Sequence, residues 1–448
     1  MNAIHRMPIM AVILLPLLGL LASWQPGRAT DADFAESHVR GGLPNFFAKL
    51  EGGRPVKIAF LGGSITEQAW YVRKFVAALE NAYLHSPVTV VNAGVAGMPS
   101  AVGVFRVGAT VMASKPDLVL VEFAVNDGDN PSAHPRICEA MEGIVRQIWK
   151  ADPSTDICFV YNARGGATGV DALQSGQFPQ GATAHERVAE HYGIPSVHMA
   201  LAAAGQIKDG KLAWAPAKAA ESTAQQDKSI EESNRKTMAG ETAATPPPTP
   251  AAALPLFTVD GVHPNELGGQ LSAEAIMRGF ALFKGAGAKP GPHETEPPLT
   301  SNTLEHAVML SPSSAALSAG WSKPDMDADE QLKKWKRAAV QLWKAGAAGE
   351  TVGFAFKGTE ISLMAVGGPD EGQIEISLDG VPKIMPLSSS YTEQKKKPSV
   401  ISLTIGKGLP DTVHTIALKT LNPCLIGYFL IVGDVVPSDK INPQKTVR

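Results

Sequence analysis

Between residues 55 and 200, short unbroken apolar runs alternate with longer amphipathic stretches, and this alternation leaves few folds open. Runs over 56–61, 88–91, 118–123, 157–161 and 195–198 have strand length, while the stretches over 70–84, 102–113, 137–149 and 183–191 space their apolar residues as helices do. Strand then helix, repeated, predicts a parallel sheet covered on both faces, because such runs of Val, Ile, Leu and Phe leave no polar face for water. The fold class is therefore α/β, a three-layer domain over 50–285 whose last helix spans 266–283.

After Thr300 the rhythm changes. Period-two stretches over 351–356, 361–366, 373–378, 399–405, 412–418 and 426–432 are separated by Gly and Pro turns, and Asp379-Gly380 is a hairpin signal. Strands with no helices between them predict an antiparallel, jelly-roll-like β-sandwich over 300–440. A Gly/Pro-rich linker over 286–299 separates the two domains, and 448 residues exceed one ordinary domain in any case. The segment 215–255 is rich in Ala, Ser, Thr, Gln, Glu and Lys and then in Pro, a composition that reads as a low-complexity surface insertion. It carries a short candidate helix around 227–238, and it could be a passive loop or a flap near the site.

Charge and cysteine content exclude several partners. Lys plus Arg number 40 against 43 Asp plus Glu, so no basic surplus exists for a phosphate backbone and nucleic acid is not expected. Cys138, Cys158 and Cys424 include no CxxC pair, which leaves neither a disulfide framework nor a cysteine zinc site; buried thiols are expected. Arg6, an apolar run over 7–22 broken by Pro8 and Pro16, and small residues at Gly27 and Ala29 follow the order of a secretory leader over 1–29. The run falls short of the ~20 apolar residues of a spanning helix, so export to the periplasm or beyond is expected, with no stable membrane insertion after cleavage.

The strand ends carry the chemistry. Gly62-Gly63-Ser64-Ile65-Thr66-Glu67 follows the first strand, where an α/β fold gathers its loops and a helix begins. Ser64 there is either a nucleophile or, with Glu67 three residues on, half of a capping box. Gly94 in Asn92-Ala93-Gly94 allows a backbone N–H to approach a ligand closely, or simply makes a tight turn. Asn126 in Asn126-Asp127-Gly128 can aim an amide at developing negative charge, or start a turn. Asp260-Gly261-Val262-His263 supplies an imidazole and an orienting carboxylate in one short loop. No GxSxG elbow and no GxGxxG fingerprint is present.

These four segments, in this order over roughly 55–283, resemble the SGNH (GDSL-type) hydrolase family. The resemblance implies a flavodoxin-like hydrolase domain in which Ser64 is the nucleophile, His263 the general base and Asp260 its orienter. It further implies an oxyanion site made by the backbone of Ser64 and Gly94 and the amide of Asn126, with no cofactor and no metal. Two positions depart from the family pattern: Gly63 stands where the GDS form has Asp, and Ala124 where the GxND form has Gly. The C-terminal region is similar to the sandwiches attached to some carbohydrate esterases, through the stretches 353–358, 374–380 and 414–418. Trp321, Trp335, Trp343 and Tyr428 are either sugar-stacking or core aromatics. The implied activity is that of a secreted serine esterase cleaving small acyl esters, acetyl foremost, from an acylated polysaccharide. A polysaccharide O-acetyltransferase with the same triad, and a non-catalytic glycan-binding protein, are the alternatives. His134, His185, His191 and His198 show no ligand spacing and read as ordinary surface or supporting residues.

Overall fold

A computed structural model describes residues 34–216, 254–302, 304–339 and 341–436. The leader at 1–29 and the candidate helix at 227–238 lie outside the described residues, as does most of the 215–255 segment.

Six strands form the N-terminal sheet: β1 (Ser37–His38), β2 (Val56–Gly62), β3 (Val88–Asn92), β4 (Leu118–Glu122), β5 (Asp156–Tyr161) and β6 (Ser196–His198). They lie in the order β1-β6-β5-β4-β2-β3, with β2 to β6 parallel and β1 added antiparallel at one edge. The seven helices used below are α1 (Pro44–Glu51), α2 (Ser64–Gln68), α3 (Trp70–Ala82), α4 (His134–Ala151), α5 (Gln180–His191), α6 (Glu266–Lys284) and α7 (Glu330–Ala339). Alternate strand residues divide between the two faces. Ile58, Phe60, Leu118, Leu120, Cys158 and Val160 pack under α1, α3 and α6, whereas Ala59, Leu61, Val119, Val121, Ile157 and Phe159 pack under α4 and α5. Both faces are dry, which is why these strands read as unbroken apolar runs. At the centre of one face Phe75 lies edge-on to Phe60 and to Phe280, with ring centroids 6.2 and 5.0 Å apart. Cys138, Cys158 and Cys424 are buried and free. Among the described residues no helix is long and apolar enough to cross a membrane.

The helix expected over 102–113 is irregular. It runs through residues 100–114 as short turns that include a π-helical turn at Val107–Val111. That distortion falls where the run passes beneath both domains.

The C-terminal domain is antiparallel. Its strands are β7 (Ala307–Leu310), β8 (Ala316–Leu317), β9 (Trp321–Ser322), β10 (Trp343–Ala345), β11 (Thr351–Gly367), β12 (Gln373–Leu378), β13 (Val381–Pro386), β14 (Ser399–Thr420) and β15 (Cys424–Val436). The main path is β13-β12-β14-β11-β15-β10-β9. Two pairs of expected short strands are each one long, bent strand: 351–356 and 361–366 both lie in β11, and 399–405 and 412–418 both lie in β14. Register breaks between Gly358 and Glu360 in both of β11's long pairings. There Gly358 faces Gly433 so closely that a Cβ on either would meet backbone oxygen at 2.1 Å, so the bend that curls the sheet requires both glycines. The hairpin at Asp379-Gly380 has Leu378 opposite Val381, with φ of 53° and 81° at the two turn residues, as a two-residue primed turn demands.

Helices do occur in this region, contrary to the strands-only expectation. In α7, Leu332, Trp335 and Ala338 recur every three residues and turn toward the N-terminal domain. The two domains share one apolar cluster, in which Leu304, Ala307, Leu342, Val366 and Val432 join Val104, Ile144 and Ile148. Polar contacts fasten its margin. Arg136 on α4 grips Glu360 with both terminal nitrogens, at 3.0 and 2.7 Å, and Glu360 is buried. Buried Glu142 accepts the N–H groups of Leu299 and Thr300, at 2.6 and 2.9 Å, and so pins the linker's end to α4.

Candidate active site

Ser64 opens α2 directly after β2. It occupies the first helical position, Gly63 is the cap, and no side chain caps the helix. The capping-box reading is therefore overturned, and Glu67 instead accepts the Ala96 N–H at 2.7 Å. Because the helix starts here, its leading N–H groups have no partner within the helix.

The DxxH loop folds around its own aspartate. Asp260 Oδ1 accepts the N–H groups of Val262 and His263 at 2.9 and 2.7 Å, which closes the turn. Gly261 adopts φ +87° at the bend, and its carbonyl receives Gly165 N–H and Trp214 Nε1–H at 2.6 and 2.9 Å. The same carboxylate's Oδ2 then meets His263 Nδ1 at 2.6 Å, and His263 Nε2 lies 2.8 Å from Ser64 Oγ. Hydroxyl, imidazole and carboxylate thus stand in line, although Ser64 and His263 are far apart in the chain. Burial opposes the charge on Asp260, but the hydrogen bonds from His263 and Val262 outweigh it and hold the carboxyl below its ordinary range.

Asn126 lies in the turn after β4, pressed against Gly63. A Cβ at Gly63 would lie 1.8 Å from Asn126 Oδ1, so glycine there is what lets the amide reach this position. Asn126 Oδ1 is buried and makes no hydrogen bond among the described residues. Gly94 packs on α2, where a Cβ would come within 2.4 Å of Glu67 N. Its N–H, expected to face a ligand, instead donates to Asn92 Oδ1 at 2.9 Å, while Asn92 Nδ2 donates to Thr66 O at 2.8 Å. Asn92 therefore ties the two loops together and occupies the donor assigned to Gly94.

Several residues around the site carry no motif. Asp127 accepts Ser100 N–H at 2.8 Å and pairs with the buried His185 at 2.7 Å, which braces the Asn126 turn from behind. Glu122 is fully buried at the end of β4 and pairs with no cation among the described residues; the Asn162 backbone N–H is its one polar support there. Burial first, and then the neighbouring Asp127, raise its pKa to about 8 against the lowering effect of the Asn162 N–H. Folding therefore holds a proton that the unfolded chain loses above the ordinary carboxylate range. Stability should fall as pH rises from that range through about 8, and Glu122→Gln should flatten the slope. Urea midpoints of both proteins between pH 5 and pH 9 check this; parallel slopes would contradict it.

A cleft of about 290 Å³ opens beside the site between the domains, with Glu67, Ala96, Met98, Trp335, Arg337 and Ser402 among its walls. Arg337 of α7 reaches within 3.8 Å of Glu67, and buried Arg106 donates to the Arg337 carbonyl at 2.9 Å. Of the four aromatics singled out in the sequence, Trp335 lines this cleft. Trp321 is buried with its Nε1–H on Thr351 O at 3.0 Å, Trp343 packs against the C-terminal core, and Tyr428 packs against the shared cluster.

Residues 60–271 match the model of the GDSL-like lipase/acylhydrolase family. The N-terminal domain is a GDSL-like acylhydrolase domain. Two solved structures, both titled as a two-domain esterase (CEX) active on acetylated mannans, resemble the whole chain. One, alone, has a TM-score of 0.64 and 20% identity over 90% of this chain and 99% of that one. The other, co-crystallized with mannopentaose, has a TM-score of 0.62 and 20% identity over 89% and 96%. The likeness establishes the fold of both parts, an α/β domain with a parallel sheet followed by a curled antiparallel sheet domain. No curated protein matches the chain.

Proposed function

We propose that this chain is a serine esterase that removes small acyl groups, acetyl foremost, from an acylated polysaccharide. The observation that carries the reading is the unbroken line from Ser64 Oγ through the His263 imidazole to the Asp260 carboxylate. Ser64 attacks the ester carbonyl as His263 Nε2 takes its proton, and Asp260 stabilises the imidazolium through Nδ1. The imidazolium then protonates the departing sugar oxygen. Water enters and attacks the acyl carbon as His263 takes its proton; the bond to Ser64 Oγ then breaks, Oγ recovers the proton from the imidazolium, and the acyl group leaves as the carboxylic acid, which ionises in solvent. The oxyanion is held by the Ser64 N–H and the Asn126 amide, with Gly94 contributing only if Asn92 yields its N–H. Asn126→Ala should therefore lower kcat about 10²- to 10³-fold with little change in KM. Steady-state kinetics on p-nitrophenyl acetate read this directly, and a loss confined to KM would exclude the role.

Support for a carbohydrate substrate comes from the interdomain cleft, whose wall offers the half-buried Trp335 for stacking on a sugar ring. The solved two-domain esterases of the same architecture act on acetylated mannans. Export through the leader at 1–29 would bring the protein to such polymers. Acetate released from a panel of acetylated glycans tests the substrate class. Release from a polymer that Trp335→Ala reduces more than hydrolysis of p-nitrophenyl acetate supports it; equal effects on both would refute a glycan-facing cleft.

A further inference from the structure

A second group of chemistry-bearing side chains lies at the β6 edge of the parallel sheet. His38 comes from β1, Glu186 from α5 and His198 from the end of β6, and one ligand atom of each lies within 4.8 Å of the others. His38 Nδ1 is 3.2 Å from Glu186 Oε2, and His198 Nε2 is 4.0 Å from Glu186 Oε1. Phe178 stacks on the His198 ring with centroids 3.5 Å apart, and Tyr161 packs beside it at 4.7 Å. His198 is 2% exposed, yet its Nε2 makes no hydrogen bond among the described residues, and the buried Tyr161 hydroxyl lies against the Glu186 carboxylate. A ring nitrogen left unpaired in a dry pocket is costly, and this one faces the Glu186 carboxylate, while His38 Nδ1 on the other side of that carboxylate also lies 3.2 Å from Ser196 Oγ.

We propose that His38, Glu186 and His198 bind a divalent transition metal of the zinc class. Two imidazole nitrogens and one carboxylate oxygen form a borderline donor set suited to Zn²⁺, with water completing the shell. Arg40 donates to Glu186 Oε2, to Ser196 Oγ at 3.1 Å and to Ile194 O at 2.8 Å. It thereby orients the carboxylate with Oε1 toward His198, while its charge weakens the affinity. The metal would fasten β1, held in the sheet by only two residue pairs, to α5 and β6. No motif announces the site, because its donors stand far apart in the chain and meet only through the sheet edge. That departs from the sequence expectation of no metal.

The test uses the full chain, stripped with EDTA and titrated with ZnCl₂ by calorimetry, with CoCl₂ absorption as a second readout. Wild type should show a saturable site, a raised thermal midpoint with Zn²⁺, and Co²⁺ bands of low-symmetry coordination. Affinity should fall at least ~10-fold in His198→Ala and His38→Ala, and the partly exposed His38 keeps the test decisive should His198→Ala fail to fold. No saturable binding in wild type, or binding by His38→Ala as tight as wild type, would overturn the proposal and leave an internal water only.

Discussion

Replacing Ser64 by alanine lowers kcat on a small acetyl ester by about 10⁴-fold or more, while circular dichroism and the thermal midpoint stay at their wild-type values. The two halves of this result have separate causes. The hydroxyl's one hydrogen bond among the described residues is to His263, and it caps no helix, so its loss leaves the fold intact. Without it the imidazole has no oxygen to activate, and only the oxyanion donors and substrate binding remain to accelerate attack by water. A variant that keeps the wild-type rate would place the chemistry elsewhere and remove the esterase reading of Ser64 and His263.

Asp260→Asn comes next in size, with an expected loss of about 10⁴-fold in kcat. The substitution separates two duties that one carboxylate performs. An asparagine Oδ1 can still accept the Val262 and His263 N–H groups, so the turn closes as before. Its Nδ2–H, however, faces His263 Nδ1 where an acceptor stood, which forces the ring proton onto Nε2. That nitrogen then points a hydrogen at Ser64 Oγ and cannot take its proton. The loss should persist across pH 6 to 9, because it comes from the wrong tautomer rather than from a shifted titration. Activity within tenfold of wild type would show that Asp260 only builds the loop.

The parallel sheet was legible because its strands are buried on both faces. Ile58, Ala59, Phe60 and Leu61 can be apolar in succession only when helices cover both sides. The motif loops were legible because each is short and ends a strand. What escaped the reading is whatever depends on distant residues meeting. The bend at Gly358 looked like a break between two strands, since its cause is the approach of Gly433 from β15. Helix α7 went unread because its strongly charged sequence hides a sparse apolar stripe whose partner is another domain. The Ser64 and Glu67 spacing suggested a cap, but the cap position is Gly63 and Glu67 turns to Ala96. The N–H of Gly94 looked free until Asn92, two residues earlier, was seen to accept it.

The central claim is that Ser64 is a nucleophile activated by His263, and covalent trapping reads it most directly. Wild-type protein treated with a fluorophosphonate should gain one adduct by intact mass, tandem mass spectrometry should place it on Ser64, and His263→Ala should label far more slowly. An adduct on another residue, or acetate release that continues in protein fully labelled at Ser64, would contradict the account.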